Sequence, residues 1–361
     1  MSELFVCTKK GLFVLEGEPG SAFEVRTRAF PGEPVEYALR DSATGRVLAA
    51  VTSPFYGPKI FYTDDPAGDW EQAAGVELPE DSGQALVRIW VMAHGEEGVV
   101  YAGADPGALF QSRDGGVSWE LNRPLWEHRV SEDWQPGGGG LCLHSIAPWP
   151  GEPARLAVGV SAAGVWLTED SGATWQRGND GIVPRYVPED ASEGATPLCI
   201  HHLERSGASP ERMFMQFHGG VYRSDDAGSS WTYIADGLPS DFGFPLAVDP
   251  VDPDCAYVIP LVADMDRVTP GGRVRVYETR DGGESWTPRG EGLPQRHAYL
   301  TVLRQAFAHH GGGDGLELYF GATSGEVFGS GDAGASWSSV ADRLPPVFAL
   351  TVADQASSSA T

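Results

Sequence analysis

Ser112 to Trp119 reads SRDGGVSW, and the pattern returns as TEDSGATW (Thr168 to Trp175), SDDAGSSW (Ser224 to Trp231), TRDGGESW (Thr279 to Trp286) and SGDAGASW (Ser330 to Trp337). Each copy is Ser/Thr-x-Asp-x-Gly-x-Ser/Thr-Trp, the third with Asp225 and Asp226 adjacent. A degenerate copy, TDDPAGDW (Thr63 to Trp70), keeps the Asp-to-Trp spacing and moves the glycine by one. A strand ends at the Ser/Thr, and the Asp carboxylate accepts backbone amides inside the turn. The glycine takes a backbone angle that other residues avoid. The tryptophan opens the next strand and buries its ring on the sheet. Each copy is thus a staple between two strands, and these Asp residues are structural rather than catalytic.

The copies resemble the Asp-box, or BNR, repeat of sialidases, sortilin-type receptors, some xyloglucanases and the photosystem assembly propellers, over nearly the whole chain. That resemblance implies a β-propeller and is specific for fold, not for function.

The box tryptophans at 70, 119, 175, 231, 286 and 337 recur at about 50 residues, enough for four short strands and their loops. One step back lies Phe23, in GLFVLEGEPGSAFEV, a strand, a turn and an aromatic without an Asp box. The expected architecture is therefore all-β: seven four-stranded antiparallel blades. The first repeat starts directly at LFVCT without an inner strand, whereas VFALTVAD (Val347 to Asp354) is a spare strand after the last box. Ring closure by this C-terminal strand removes exposed edges. Residues 1–354 form one propeller domain, and the tail 355–361 is expected to be disordered.

With 41% apolar and 21% charged residues the chain supports a large core. Its net charge of −25 makes phosphate backbones and anionic membrane surfaces poor partners. No window is apolar enough for a membrane helix. The N-terminus has no basic region followed by an apolar stretch and cleavage site. Cys7, Cys142, Cys199 and Cys255 are far apart and form no C-x-x-C. The expected location is a reducing cytoplasm.

Strand order puts the Asp boxes and the first-to-second strand loops on one face. Blade connections and second-to-third strand loops lie on the other, and this face carries the long insertions: Leu121 to Gly140, Gly178 to Pro197, Gly237 to Pro245, Ile259 to Gly272 and Gly292 to Leu300. Function concentrates on such loops. His144 and His201 occupy matching contexts, LCLH and LCIH, on consecutive inner strands, and His218 comes next in QFHGG. Three neutral imidazoles with an open position suit a divalent transition metal, zinc or iron. The alternative makes them repeat-equivalent, hydrogen-bonded core positions. Cys142 and Cys199 share the strand side of these histidines and are set aside as small buried residues. Asp241, Arg267 and Tyr299 are the expected catalytic or substrate-contacting groups, assigned by face. The Gly137 to Gly140 run has no phosphate-loop pattern and reads as a turn that brings backbone close to the axis. The Trp126, Trp134 and Trp149 cluster reads as packing.

WQPGGGGLCLH, GLPSDFGFP, YVIPL and AYLTVLR also resemble bacterial cytosolic proteins labelled sialidase-like or glycosyl-hydrolase-like. Sialidase chemistry requires an Arg-Ile-Pro motif, and Val87-Arg88-Ile89-Trp90 is the nearest fragment. Three functions stand side by side. One is a metal-assisted enzyme or small-molecule site in the axial funnel. Another is a carboxylate-based glycoside hydrolase acting on carbohydrate, with Asp241, Asp264 and Asp266 on the right face. The third is a non-catalytic protein-binding scaffold.

Overall fold

The computed structural model describes residues 1–184 and 198–353. The expected tail, Asp354 and most of the Gly178 to Pro197 insertion lie outside these residues. Seven four-stranded antiparallel blades succeed one another around an axis. Blade 1 joins Val347–Ala353 to Ser2–Thr8, Gly11–Gly17 and Glu24–Ala29. Val347–Ala353 pairs antiparallel with Ser2–Thr8, with Phe5 opposite Thr351, so the ends of the chain close the ring. The inner strands of the other blades are Val35–Arg40, Arg88–His94, Leu143–Pro148, Ile200–Arg205, Gly243–Val248 and Val302–His310. Each inner strand touches the next, and Val347–Ala353 touches both Val302–His310 and Val35–Arg40, so the circle is complete.

The boxes hold the blades as their residue types require. In the five regular copies the Asp Oδ1 accepts the amide of the Ser/Thr before the tryptophan at 2.8–2.9 Å, and Oδ2 accepts its hydroxyl at 2.5–2.6 Å. The leading Ser/Thr hydroxyl donates to the Asp and accepts the glycine amide at 2.8–2.9 Å. That glycine has φ between 82° and 96° in all five copies, a conformation that penalises any Cβ. The amides of Trp119, Trp231 and Trp337 reach back to carbonyls of the preceding blade. Phe23 does the same toward Val340, so it occupies the box-tryptophan position of a blade that has lost its box.

Every inner strand carries a register irregularity at the same place. It falls at Glu36, Trp90, His144, His201, Phe244 with Pro245, Leu303 to Ala306, and Phe348. A bulge re-aims its side chain and interrupts pairing. Seven bulges at one level therefore build a ring of side chains about the axis.

Candidate metal centre in the axial funnel

In blades 4, 5 and 6 the residue two positions before the bulged one accepts the amide of the residue just after the second strand. In blade 4 the Ser161 amide donates to the Cys142 carbonyl, in blade 5 His218 donates to Cys199, and in blade 6 Leu261 donates to Phe242. Adding the bulged residue, equivalent places hold Cys142, His144 and Ser161, then Cys199, His201 and His218, then Phe242, Phe244 and Leu261. Blade 6 fills them with a small apolar cluster. Blade 5 fills all three with metal-ligating side chains.

The ligand atoms of Cys199, His201 and His218 lie within 4.8 Å of one another, the one such group among the described residues. The His201 and His218 rings meet edge to face with centroids 5.2 Å apart. His201 Nδ1 lies 2.6 Å from the Gly243 carbonyl oxygen and therefore carries the proton. That bond leaves Nε2 with its lone pair, the arrangement a metal-binding imidazole uses. Burial first, then the Arg304 charge, pushes His201 well below the ordinary histidine range. His218 is also lowered, by burial against the opposing pull of Asp264. Both rings are neutral near pH 7, as metal binding requires.

The expected third imidazole is not in this group. His144 Nε2 donates to the Ile200 carbonyl at 2.6 Å, and Nδ1 faces the Ser145 hydroxyl at 3.1 Å. Both nitrogens are spent, and the repeat-equivalent core reading describes this residue. Cys199 takes the third place. Its Sγ lies 3.4 Å from Ser161 Oγ, across the boundary with blade 4.

Of the residues assigned by face, Asp241 and Arg267 are near enough to bear electrostatically on His218, together with Asp264 and Arg304. Arg267 is half exposed and donates to the Asp264 carboxylate at 2.6 Å. Tyr299 lies on the same rim, 61% exposed and packed against Gly272. The group missed by the sequence reading is Arg304, from the bulge of blade 7. Its guanidinium lies 4.7 Å from the Phe244 ring centroid and 5.8 Å from that of Trp90, so it spans the axis.

The flanking insertion Leu121 to Gly140 contains a helix, Arg123–Ser131, that the sequence reading leaves as loop. Asn122 caps it by accepting the Leu125 amide at 3.0 Å, and a proline occupies the first turn. Trp126, Trp134 and Trp149 are buried, as packing residues should be. The Gly137 to Gly140 turn does approach the axis: a Cβ on Gly139 would stand 4.0 Å from the Arg304 guanidinium.

Beyond the ring toward the Asp-box face lies an axial cavity of about 300 Å³, lined among others by His94, His202, Glu204 and His309. His309 Nε2 donates to Glu204 at 2.6 Å.

No protein-family model matches the chain. An oligoxyloglucan-reducing end-specific xyloglucanase of Emericella nidulans is 25% identical over 228 residues. The match covers 54% of this chain and 26% of that one, so the chain spans about a quarter of the length of this curated relative. Among solved structures, apo AztD from Citrobacter koseri superposes with a TM-score of 0.54 at 12% identity, over 98% of both chains. YCF48 bound to D1 peptide superposes with a TM-score of 0.50 at 16% identity, over 81% of this chain and 78% of that one. The chain is an Asp-box β-propeller. It is related in fold to the xyloglucanase and YCF48 propellers, and at these identities the structural likeness extends to fold alone.

Proposed function

We propose that this propeller holds a divalent transition metal through Cys199, His201 and His218, and that the metal serves a small-molecule site in the axial funnel. The carrying observation is the convergence of one thiol and two imidazoles within 4.8 Å at repeat-equivalent positions that neighbouring blades fill with other residues. One thiolate and two nitrogens suit zinc, and three protein ligands leave a position open to a water or substrate oxygen. Such a metal would act as a Lewis acid on an oxygen placed there. The chain's own part is to present His201 in one tautomer, to keep both imidazoles neutral, and to surround the open position with Asp241, Asp264, Arg267 and Arg304. None of the four cysteines is in a disulfide, which fits the reducing cytoplasm that we propose as its setting. Zinc content after loading and exhaustive dialysis tests this reading. The expected result is about one zinc per chain, lost in Cys199→Ser and in His218→Ala. Retention of zinc by both variants would contradict it.

A second reading, carboxylate-based glycoside hydrolysis, is favoured by the xyloglucanase likeness and by Asp241 and Asp264 both acting on the same funnel histidine. It expects xyloglucan oligosaccharide cleavage abolished by Asp241→Asn or Asp264→Asn and indifferent to metal removal. The scaffold reading expects a flat apolar face without perturbed groups, and the shifted histidines favour a ligand site instead.

A further inference from the structure

We infer that the floor of this funnel is an oxyanion site, in which Arg304 and Arg267 grip a small carboxylate or phosphate beside the Cys199, His201 and His218 group. The inference deepens the metal reading by naming the ligand class, and it rests on two arginines that are not themselves metal ligands, one of them in contact with the Cys199 thiol.

Arg304 comes from the inner strand of blade 7 and reaches toward blades 3 and 6, where its guanidinium carbon lies over the Trp90 and Phe244 rings. An aromatic face offers no acceptor to the in-plane fork of a guanidinium, so beyond a hydrogen bond with the Cys199 thiol that fork remains to be satisfied. Among the described residues its Nε is buried with no hydrogen-bond partner. The groups acting on it most strongly after burial are the Cys199 and Cys142 thiols and a second cation, Arg267. Thiols are weak acceptors and do not replace a carboxylate. The contrast with other axial arginines is direct: Arg88 meets Glu36 at 3.4 Å and Arg40 meets Glu3 at 2.7 Å.

Arg267 sharpens the point. Its guanidinium lies 5.2 Å from the centroid of the same Phe244 ring that carries Arg304 at 4.7 Å. Two like charges sharing one ring repel each other unless an anion lies between them. In a chain with 50 acidic and 25 basic residues, carboxylates are plentiful, yet among the described residues the one paired with Arg267, Asp264, belongs to its own loop. The Gly137 to Gly140 turn stands nearby without crowding the arginine: an added Cβ on Gly139 would still lie 4.0 Å from its guanidinium, and one on Gly138 would meet nothing within 4 Å. A fork of donors, a second cation and an open approach together fit a planar carboxylate or a tetrahedral phosphate.

The test titrates inorganic phosphate and acetate into the full chain, zinc-loaded and metal-free, by calorimetry. At least one of the two anions should bind, and their order of affinity reports a tetrahedral or a planar ligand. Arg304→Met should weaken it by roughly tenfold or more, and Arg304→Lys by less, because a charge without the fork remains. Should Arg304→Met fail to fold, Arg267→Gln at the exposed rim provides the second arm and should weaken binding several-fold. Absence of binding by either anion, or equal affinity in the folded Arg304→Met or Arg267→Gln protein, would overturn the inference. Arg304-dependent anion binding without zinc uptake would uphold this site and remove the metal reading. Zinc uptake without anion binding would do the reverse.

Discussion

His201 Nδ1 lies 2.6 Å from the carbonyl oxygen of Gly243, one blade further round the ring, and His144 makes the equivalent bond to Ile200 through its other nitrogen. The same repeat position thus yields two different imidazoles. In His144 the serine next in sequence occupies Nδ1, whereas in His201 the free lone pair is on Nε2, beside His218 and Cys199.

This difference separates structure from metal binding by mutation. His144→Ala should lose about 1–3 kcal/mol of unfolding free energy by orphaning the Ile200 carbonyl, while zinc stoichiometry stays unchanged. His218→Ala should do the opposite, with zinc lost and unfolding near the midpoint of the metal-free wild type. Denaturant unfolding and atomic spectrometry on the same samples check both.

The Asp boxes predict an acid limb in the stability profile. Hydrogen bonds from the Ser285 hydroxyl and then its amide hold Asp281 at about 2, against an ordinary value of 3.8. A carboxylate lowered in the folded state stabilises above its unfolded pKa, and that stability is lost as pH falls through the folded one. The window is therefore roughly pH 4 to 2. The group is solvent-exposed, so salt screens the charge contribution. Asp281→Ala should cost about 1–3 kcal/mol at neutral pH by orphaning the amide, and should flatten the acid limb in thermal melts.

Much of this architecture was legible in the sequence because the box residues act on their own turns. Ser112, Asp114, Gly116 and Trp119 are satisfied within eight residues, and local satisfaction repeats visibly. Ring closure was legible from one missing and one surplus strand. The site was legible only in part. His201 and His218 stand out as polar groups on apolar strands, but nothing in LCLH and LCIH says that one imidazole is consumed by Ile200 and the other is not. The difference lies in the residue just after the second strand, Ser161 or His218, and in the Ser145 hydroxyl. Arg304 was hidden because its partners come from blades 3, 5 and 6, far apart in sequence. The lone arginine within the apolar run TVLRQAF was the available signal. The helix Arg123–Ser131 was announced by Asn122 and Pro124 inside an insertion otherwise read as loop.

The axial cavity on the Asp-box side carries a pH dependence of the opposite sign. Burial opposes the charged form of His309, but the Glu204 charge and hydrogen bond outweigh it and raise His309 above its ordinary value, with Asp249 adding to the effect. A histidine raised in the folded state stabilises fully below the unfolded pKa near about 6.5, and this is lost as pH rises through the folded value. Thermal melts should show the wild type losing stability relative to His309→Gln as pH increases from about 6. Parallel profiles for the two proteins would show that the pair contributes nothing.

The most direct measurement of the central claim is the absorption spectrum of the cobalt-substituted chain. Cobalt(II) takes the same ligands as zinc, and a bound thiolate gives a near-ultraviolet charge-transfer band while four-coordinate geometry gives intense visible bands. The account predicts both features, saturating at about one cobalt per chain and displaced by zinc. It further predicts that Cys199→Ser removes the charge-transfer band, whereas Cys142→Ser, in the blade that lacks a third ligand, leaves the spectrum unchanged. A spectrum of hexaaqua cobalt, or a charge-transfer band that survives in Cys199→Ser, would contradict it.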